Sequence, residues 1–384
     1  MAIELDVVIF GGGGAGLWLL DELRRRGARA VLIERDALGT GQSVASQGII
    51  HGGVKYSLKG VVSASAQAIR AMPPRWRDAY AGRREPDLTG VELRSDGCWL
   101  WRTASMRSRL GMLGARAGLV VKPVSVDASQ RPAVLTDCPG EVYRLDEPVI
   151  DVVKFLHAMA RRNQRLLIRG EPAELTADRI VIGDLDLRPA SIVLTAGAGN
   201  EAICEQLGLV NDHPIMQRRP LHMVMARGDL PALNGHCVDG GHTRATITSA
   251  TDSAGRTVWQ VGGQIAEDGV TMQPAALIPH ARDELAAVLP GVSFEGVEWS
   301  TYRVDRAERA VAGGGRPEDV QIVQRGKVIA AWPTKLALAP HMSDLIVEML
   351  GEYGIDQEYE GVDAPRPDVA LPPWETSQTW NSDV

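Results

Sequence analysis

The chain has few cysteines and none at the spacing that builds a metal or disulfide framework. The four, Cys98, Cys138, Cys204 and Cys237, are scattered, with no CxxC among them. That argues against structural zinc or a bridged scaffold and fits a reducing compartment. No HxxxH motif and no His/Asp cluster indicates a metal site. No apolar run reaches membrane-spanning length, and the first residues lead straight into a strand rather than a signal peptide. A cytoplasmic protein without stable membrane insertion is therefore expected. Positive charge is not in excess either: the net charge is −7, which disfavours nucleic acid or a membrane surface as a general partner. There is no internal repeat. What remains is an ordinary globular composition, 45% apolar over 384 residues, long for one domain and comfortable for two.

What is present is concentrated at the start. Val7, Val8, Ile9 and Phe10 form a short apolar run, as a strand buried on both faces does. Gly11, Gly13 and Gly16 supply GxGxxG, with Gly14 and Ala15 between them. Leu17, Leu19, Leu20 and Leu23 then follow at helical spacing, Gly27 stops the helix, and Ala30 to Ile33 begin a second buried strand ending at Glu34. This is the order of a βαβ dinucleotide-binding unit. Gly11 makes the tight turn, Gly13 lets backbone approach a pyrophosphate, and Gly16 lets the helix pack on the strand. The helix N-terminus offers N–H groups and a positive dipole end to the phosphates. Glu34, followed by Arg35, stands where an acid accepts hydrogen bonds from ribose hydroxyls.

The next stretch, Arg35 to Gly60, is rich in small residues: Gly39, Thr40, Gly41, Ser43 and Ser46, with Gln42 and Gln47 among them. Gly48, Gly52 and Gly53 flank Ile49, Ile50 and His51, so backbone must pass something closely there. From Ser46 to Tyr56 the sequence reads S-x-G-x-I-H-G-G-x-K-Y. Here the chain resembles FAD-dependent oxidoreductases of the D-amino-acid oxidase superfamily, nearest the glycerol-3-phosphate dehydrogenase and L-2-hydroxyglutarate dehydrogenase branches. The resemblance implies FAD as cofactor. It also implies that residues 41–50 run beside the flavin ring, and that Lys55 reaches an anionic substrate.

Further along, Ser63 to Tyr80 reads as a helix broken at Pro73-Pro74, Thr89 to Trp101 as strand, and Ser105 to Ala117 as helix. Trp99 and Trp101 read as buried packing. Asp146 to Arg162 has helical periodicity after Pro148; Leu166 to Ile168 and Arg179 to Ile182 are short strand candidates. Ser191 to Gly199 is a buried strand running into small residues, and it resembles the family strand whose turn, here Ala196-Gly197, returns to FAD. There is no complete second GxGxxG and no G-D motif of the aromatic-hydroxylase branch, which points away from NAD(P)H-driven oxygenation. Gln217 to Met225, Thr243 to Ala250 and Thr257 to Gly262 read as strands, the last two joined by a turn at Asp252 to Arg256.

Three later features carry the rest of the resemblance. His222 follows an R-L-x-x-x-H-like strand opening whose histidine, in the glycerol-phosphate branch, is a proposed proton acceptor. His51 and His242 compete with it, while His213, His236 and His280 sit in loop-like contexts without a partner pattern. Arg303 falls on the arginine of W-(S/A)-G-x-R-P that grips the substrate anion, with Val304-Asp305 in place of Pro-Leu. Its guanidinium fork suits a carboxylate or phosphate, and its alternative is a surface salt bridge with Asp305 or Glu308. Ala339-Pro340 match the family's closing A-P, whereas Trp332, Pro333 and Thr334 replace the glycines of the loop before it, so this part of the flavin pocket is built differently. Thr334 and Lys335, with Pro333 and Leu336 beside them, are placed to meet the N1–C2=O edge of the flavin.

These features predict an α/β flavoprotein: a Rossmann-like FAD-binding domain (residues 1–70, 145–210 and 320–362) interleaved with a mainly antiparallel-sheet, α+β substrate domain (71–144 and 211–319). The Pro-rich tail, 363–384, is expected as an extended or partly disordered arm, docked through Trp374 and Trp380 on the body or on a neighbouring subunit of a homo-oligomer. The activity implied is hydride transfer to flavin N5 from a small anionic 2-hydroxy acid, polyol phosphate or amino acid, by a dehydrogenase or oxidase acting on CH–OH or CH–NH. An amine or amino-acid oxidase using oxygen and an NAD-dependent dehydrogenase are the alternatives.

Overall fold

The computed structural model describes residues 2–52, 64–103, 124–210, 214–239, 242–317, 319–353 and 359–382. Lys55, His213 and the helix expected at Ser105 to Ala117 lie outside them.

The opening unit forms as its pattern predicts. Strand β1 (Ala2–Phe10) leads into helix α1 (Gly14–Arg25), and β2 (Ala30–Glu34) returns beside β1 in parallel, Val7 opposite Ala30. Gly27, at φ +81, takes the left-handed conformation that ends the helix. Around this unit an eight-stranded sheet is ordered β17 (Gln321–Arg325), β18 (Val328–Trp332), β11 (Leu185–Leu194), β1, β2 and β8 (Leu167–Arg169). Strands β9 (Glu174–Leu175) and β10 (Ile180–Ile182) extend from β11. The long β11 lies parallel to β1, and β18 lies parallel to β11, so three strands distant in sequence end at the same edge as the glycine turn. In parallel sheets that carboxyl edge is where ligands bind.

The second sheet is also eight-stranded, ordered β16 (Glu298–Arg309), β12 (Met216–Gly228), β15 (Thr257–Gly262), β14 (His242–Thr251), β13 (Gly235–Asp239), β4 (Cys98–Arg102), β6 (Val142–Leu145) and β5 (Val124–Ser125). All of its pairings are antiparallel except β13 with β4. The β14–β15 turn carries Gly255 at φ +82, as its sequence requires. A two-stranded piece, β3 (Leu93–Ser95) with β7 (Val149–Ile150), joins the layers. The chain is thus α/β, with a Rossmann-like sheet interleaved with a mainly antiparallel one.

Four local expectations change. The helix Ala64–Tyr80 runs unbroken through Pro73 and Pro74. Ile69, Met72, Trp76 and Ala79, at helical spacing, are buried in the core that also holds Trp18 and Phe155, and Trp76 donates its Nε1–H to Ala337 O at 3.0 Å. That burial outweighs the backbone hydrogen bonds that proline cannot make. It also puts the domain boundary expected at residue 71 inside a helix of the cofactor-sheet core. The stretch Thr89 to Trp101 divides into β3 and β4, which belong to different sheets. The helix expected after Pro148 starts only at Val152, capped by the Asp151 carboxylate accepting from Lys154 N, because Val149–Ile150 are spent as a strand. Trp101 is fully buried, as expected, whereas Trp99 is half-buried under the Arg144 guanidinium. Among the described residues no helix is long and apolar enough to cross a membrane.

Candidate active site

A cleft of about 850 Å³ runs along the carboxyl edge of the first sheet and under the second. Its floor is the glycine turn. A Cβ at Gly11 would lie 2.4 Å from Ala196 Cα, and one at Gly16 would lie 2.1 Å from Gly11 O, so both glycines are demanded by protein backbone. At Gly13 the closest atom would be Ser43 Oγ at 3.0 Å, so that position faces the cleft. Gly13, Gly14 and Ala15 open the N-terminus of α1 onto the cleft, and the helix has no side-chain cap. Ser43 Oγ accepts Gly14 N–H at 3.1 Å, and Glu34 accepts Gly12 N–H at 2.7 Å, which holds its carboxylate at the cleft wall with Arg35 beside it.

The rest of the expected cofactor set is brought together from three segments. Gly41, Gln42, Ser43, Ser46 and Gln47 line the cleft from one, Ala196 and Gly197 from the second, and Pro333, Thr334, Lys335 and Leu336 from the third. Gly16, Gly48 and Ile50 stand behind the lining: Gly16 packs helix on strand, Gly48 O accepts Ile150 N–H, and Ile50 is fully buried. The loop that lacks the family's glycines makes its turn with Thr334 at φ +61, a conformation rare for a branched residue, closed by Lys335 N–H to Pro333 O at 2.7 Å. Thr334 Oγ1 is buried without a hydrogen-bond partner among the described residues. A strained backbone with an orphaned hydroxyl at a cleft wall fits a ligand with hydrogen-bonding edges. The helix end, whose N-cap Gly13 brings no side chain of its own, fits its pyrophosphate.

On the other wall the expected histidine is displaced. β12 alternates, so Leu221 and Met223 face the cleft, and His222 between them faces away. Its Nδ1–H donates to Gly269 O (3.0 Å) and Met272 O (3.1 Å), and its Nε2 accepts from Thr301 Oγ1 (3.0 Å). The ring is 1% exposed and its hydrogen bonding is complete. Burial holds its pKa below 6.5, with the Arg303 charge pushing the same way and the bond to Gly269 opposing. Arg303 is its cross-strand neighbour on β16, and its guanidinium donates to Val270 O and Met272 O, each at 2.9 Å. The histidine and arginine drawn from the glycerol-phosphate motifs thus grip one loop, Gly269 to Met272, and of the two only Arg303 also lines the cleft.

Two other histidines meet in the cleft instead. Residues 48–50 pair antiparallel with 148–150, Ile49 opposite Val149, which carries His51 to Glu147. His51 Nδ1 lies 3.3 Å from Glu147 Oε2, and Gly52 N–H donates to Glu147 Oε1 at 2.7 Å. His236, expected in a loop, is on β13 and buried. Its ring stacks on His51 at 5.5 Å, and its Nε2 is 4.0 Å from the same Oε2. Both rings line the cleft. The three ligand-type atoms lie within 4.8 Å of one another, a cluster that no sequence spacing announces. Arg306 also lines the cleft; burial and then Arg219 push its pKa down, Glu267 opposing and Arg316 adding to the push. His242 starts β14 exposed and is not in the lining.

Glycine turn, helix end, ribose-side acid and a cleft between a parallel and an antiparallel sheet define a flavin-dependent oxidoreductase architecture. The chain belongs to the DAO family of FAD-dependent oxidoreductases, whose model matches residues 6–335. It is similar to a protein of Pseudomonas aeruginosa named as a probable FAD-dependent oxidoreductase, 41% identical over 98% of this chain and 99% of the relative. A crystal structure of an FAD-dependent oxidoreductase from that organism superposes with a TM-score of 0.81 at 37% identity, covering 98% of each chain. The FAD-bound L-α-glycerophosphate oxidase of Mycoplasma pneumoniae shares the fold at a TM-score of 0.68 and 13% identity, covering 94% of this chain and 99% of that one. FAD is the cofactor, and the NAD alternative falls.

Proposed function

We propose that this FAD-dependent oxidoreductase oxidises a CH–OH or CH–NH bond of a small anionic substrate, with His51 as the proton acceptor when the substrate is an alcohol. The observation that carries the reading is an imidazole, seated against a buried carboxylate, in the wall of the cleft that the glycine turn and the Thr334 loop also line. Bound FAD supplies the acceptor for the hydride leaving the substrate carbon. His51 takes the hydroxyl proton as that hydride leaves, work that an imidazole with a ring-nitrogen lone pair can do. The anion grip expected of Arg303 passes to Arg306. Both arginines line the cleft, but Arg303 ties both of its terminal nitrogens to carbonyls, whereas Arg306 commits only Nε to a carbonyl, Arg219 O, and has Glu267 as a counter-charge 3.6 Å away. A guanidinium desolvated beside another arginine is stabilised when an anion joins it.

The test is anaerobic bleaching of the flavin by hydroxy acids, amino acids and polyol phosphates. The reading requires that an anionic member bleach it and that the neutral amide or ester of that compound be poor. Arg306→Ala is expected to weaken the anionic substrate by roughly ten- to a hundredfold, the worth of a charge-assisted hydrogen bond, with FAD content retained. Arg303→Ala is expected to weaken it less. Equal loss for the anion and its neutral amide in Arg306→Ala would remove that residue as the anchor.

A further inference from the structure

The structure assigns a positioning role to Glu147: its buried carboxylate accepts the Nδ1 proton of His51 and so presents Nε2 to the substrate. This rests on the reading of His51 as proton acceptor and adds the residue that sets its tautomer. Glu147 is 2% exposed, deep enough that an ionised carboxylate persists only if its oxygens are bonded. Oε1 takes the Gly52 N–H, a donor that cannot turn away, which leaves Oε2 aimed at the His51 ring. An ionised carboxylate only accepts, so the proton between it and His51 sits on Nδ1, and the lone pair falls on Nε2. The ring keeps a side-chain exposure of 31%, on the cleft side.

His236 completes the seat. Thr246 Oγ1 holds its Nδ1 at 2.9 Å, and its stacked ring limits how far His51 can swing off the carboxylate. Groups facing Glu147 come from at least three elements, among them His51 and the Gly52 N–H on the segment after Gly48, His236 on β13, and the thiol of Cys98 on β4, which burial first and Glu147 second keep neutral. The logic is that of any acid–histidine dyad: the acid stays charged, and the imidazole's orientation and tautomer are its product.

Glu147→Gln tests it sharply. The amide oxygen can keep the Gly52 N–H, and the amide NH2 then points at Nδ1, which must turn acceptor and move the ring proton to Nε2. Flavin reduction by an alcohol substrate should fall on the order of a hundredfold, with KM little changed. Glu147→Asp, which keeps the charge, should recover part of the loss. A readout independent of turnover is ¹⁵N NMR of the histidine rings in the protein without FAD, with His51→Ala identifying the His51 signals. Wild type should carry the proton on Nδ1 and Glu147→Gln on Nε2, and the wild-type spectrum alone decides if the variant fails to fold. If His51→Ala reduces its flavin at the wild-type rate, the reading of His51 fails and takes the role of Glu147 with it. If His51→Ala is slow while Glu147→Gln is normal, or wild-type His51 carries its proton on Nε2, only the inference about Glu147 is overturned. Loss of the wild-type Nδ1 signal pattern on adding a chelator would also overturn it, since the carboxylate would then be holding a cation.

Discussion

At the residue scale the glycines of the first turn separate into two kinds. Gly11 and Gly16 are held by backbone: any Cβ there strikes Ala196 or Gly11 itself, so substitution damages the fold before it touches the cofactor. Gly13 meets only the end of the Ser43 side chain and the cleft. Gly13→Val should therefore give folded protein with little or no FAD, checked by circular dichroism beside the flavin absorbance. A folded variant with full flavin content would take the pyrophosphate role away from this position. This much was legible in the sequence because the constraint is local: the glycine spacing, the helix start and Glu34 all lie within one βαβ unit. Glu147 was not legible. It is an acid before a proline, and only the pairing of residues 48–50 with 148–150 brings it to His51.

At the scale of the element, strand alternation decides which motif residues reach the cleft. β12 was readable as a strand, whereas β16 was read only as a motif. On β12 Leu221 and Met223 reach the cleft and His222 does not, while its cross-strand partner Arg303 lines the cleft but is tied to loop carbonyls. A one-residue change of parity moves a side chain to the opposite face, and a short gapped resemblance does not fix parity. His222→Gln should accordingly leave flavin reduction near the wild-type rate, since Gln can donate to the loop carbonyls and accept from Thr301. Its effect should appear in stability against pH. Unfolded His222 takes up a proton near pH 6.5, whereas burial makes the folded group bind it only at lower pH. Below about pH 6.5 the unfolded chain thus holds more protons, so stability falls as pH drops toward the folded value and is unaffected above. Urea midpoints at pH 7.5 and 5.5 should differ less for His222→Gln than for wild type. An equal drop in both would show that the buried imidazole is not a source of acid sensitivity.

At the scale of the molecule, the two sheets are tied by a segment that composition marked as an extended or partly disordered arm. Its first part pairs with the cofactor sheet's side: Arg169 N–H donates to Pro365 O at 2.7 Å, and Leu38 exchanges hydrogen bonds with Asp368 and Ala370. Its second part lies on the antiparallel sheet, where Trp299 and Asn381 exchange hydrogen bonds of 2.8 and 2.9 Å. Ser253 donates to Glu375, and Trp374 is buried against Met225, Ala250 and Val258 with the Arg94 guanidinium over its ring. Trp380 lies under Arg227, whose guanidinium carbon is 3.9 Å from the ring centre. The two tryptophans were the visible signal of docking. The path was not visible, because proline-rich chain draws its order from the surface it lies on rather than from its own periodicity. A strap that crosses both layers opposes their separation, and its largest buried side chain is Trp374. Trp374→Ala should therefore cost about 3–5 kcal/mol, as large-to-small changes at buried aromatics do. Ending the chain after Leu371 should cost at least as much, with FAD bound as before because no described residue of the arm lines the cleft. Denaturant unfolding of the FAD-loaded protein would show this as a lower midpoint. A midpoint unchanged on truncation would mean the arm rests on the surface without holding the layers together.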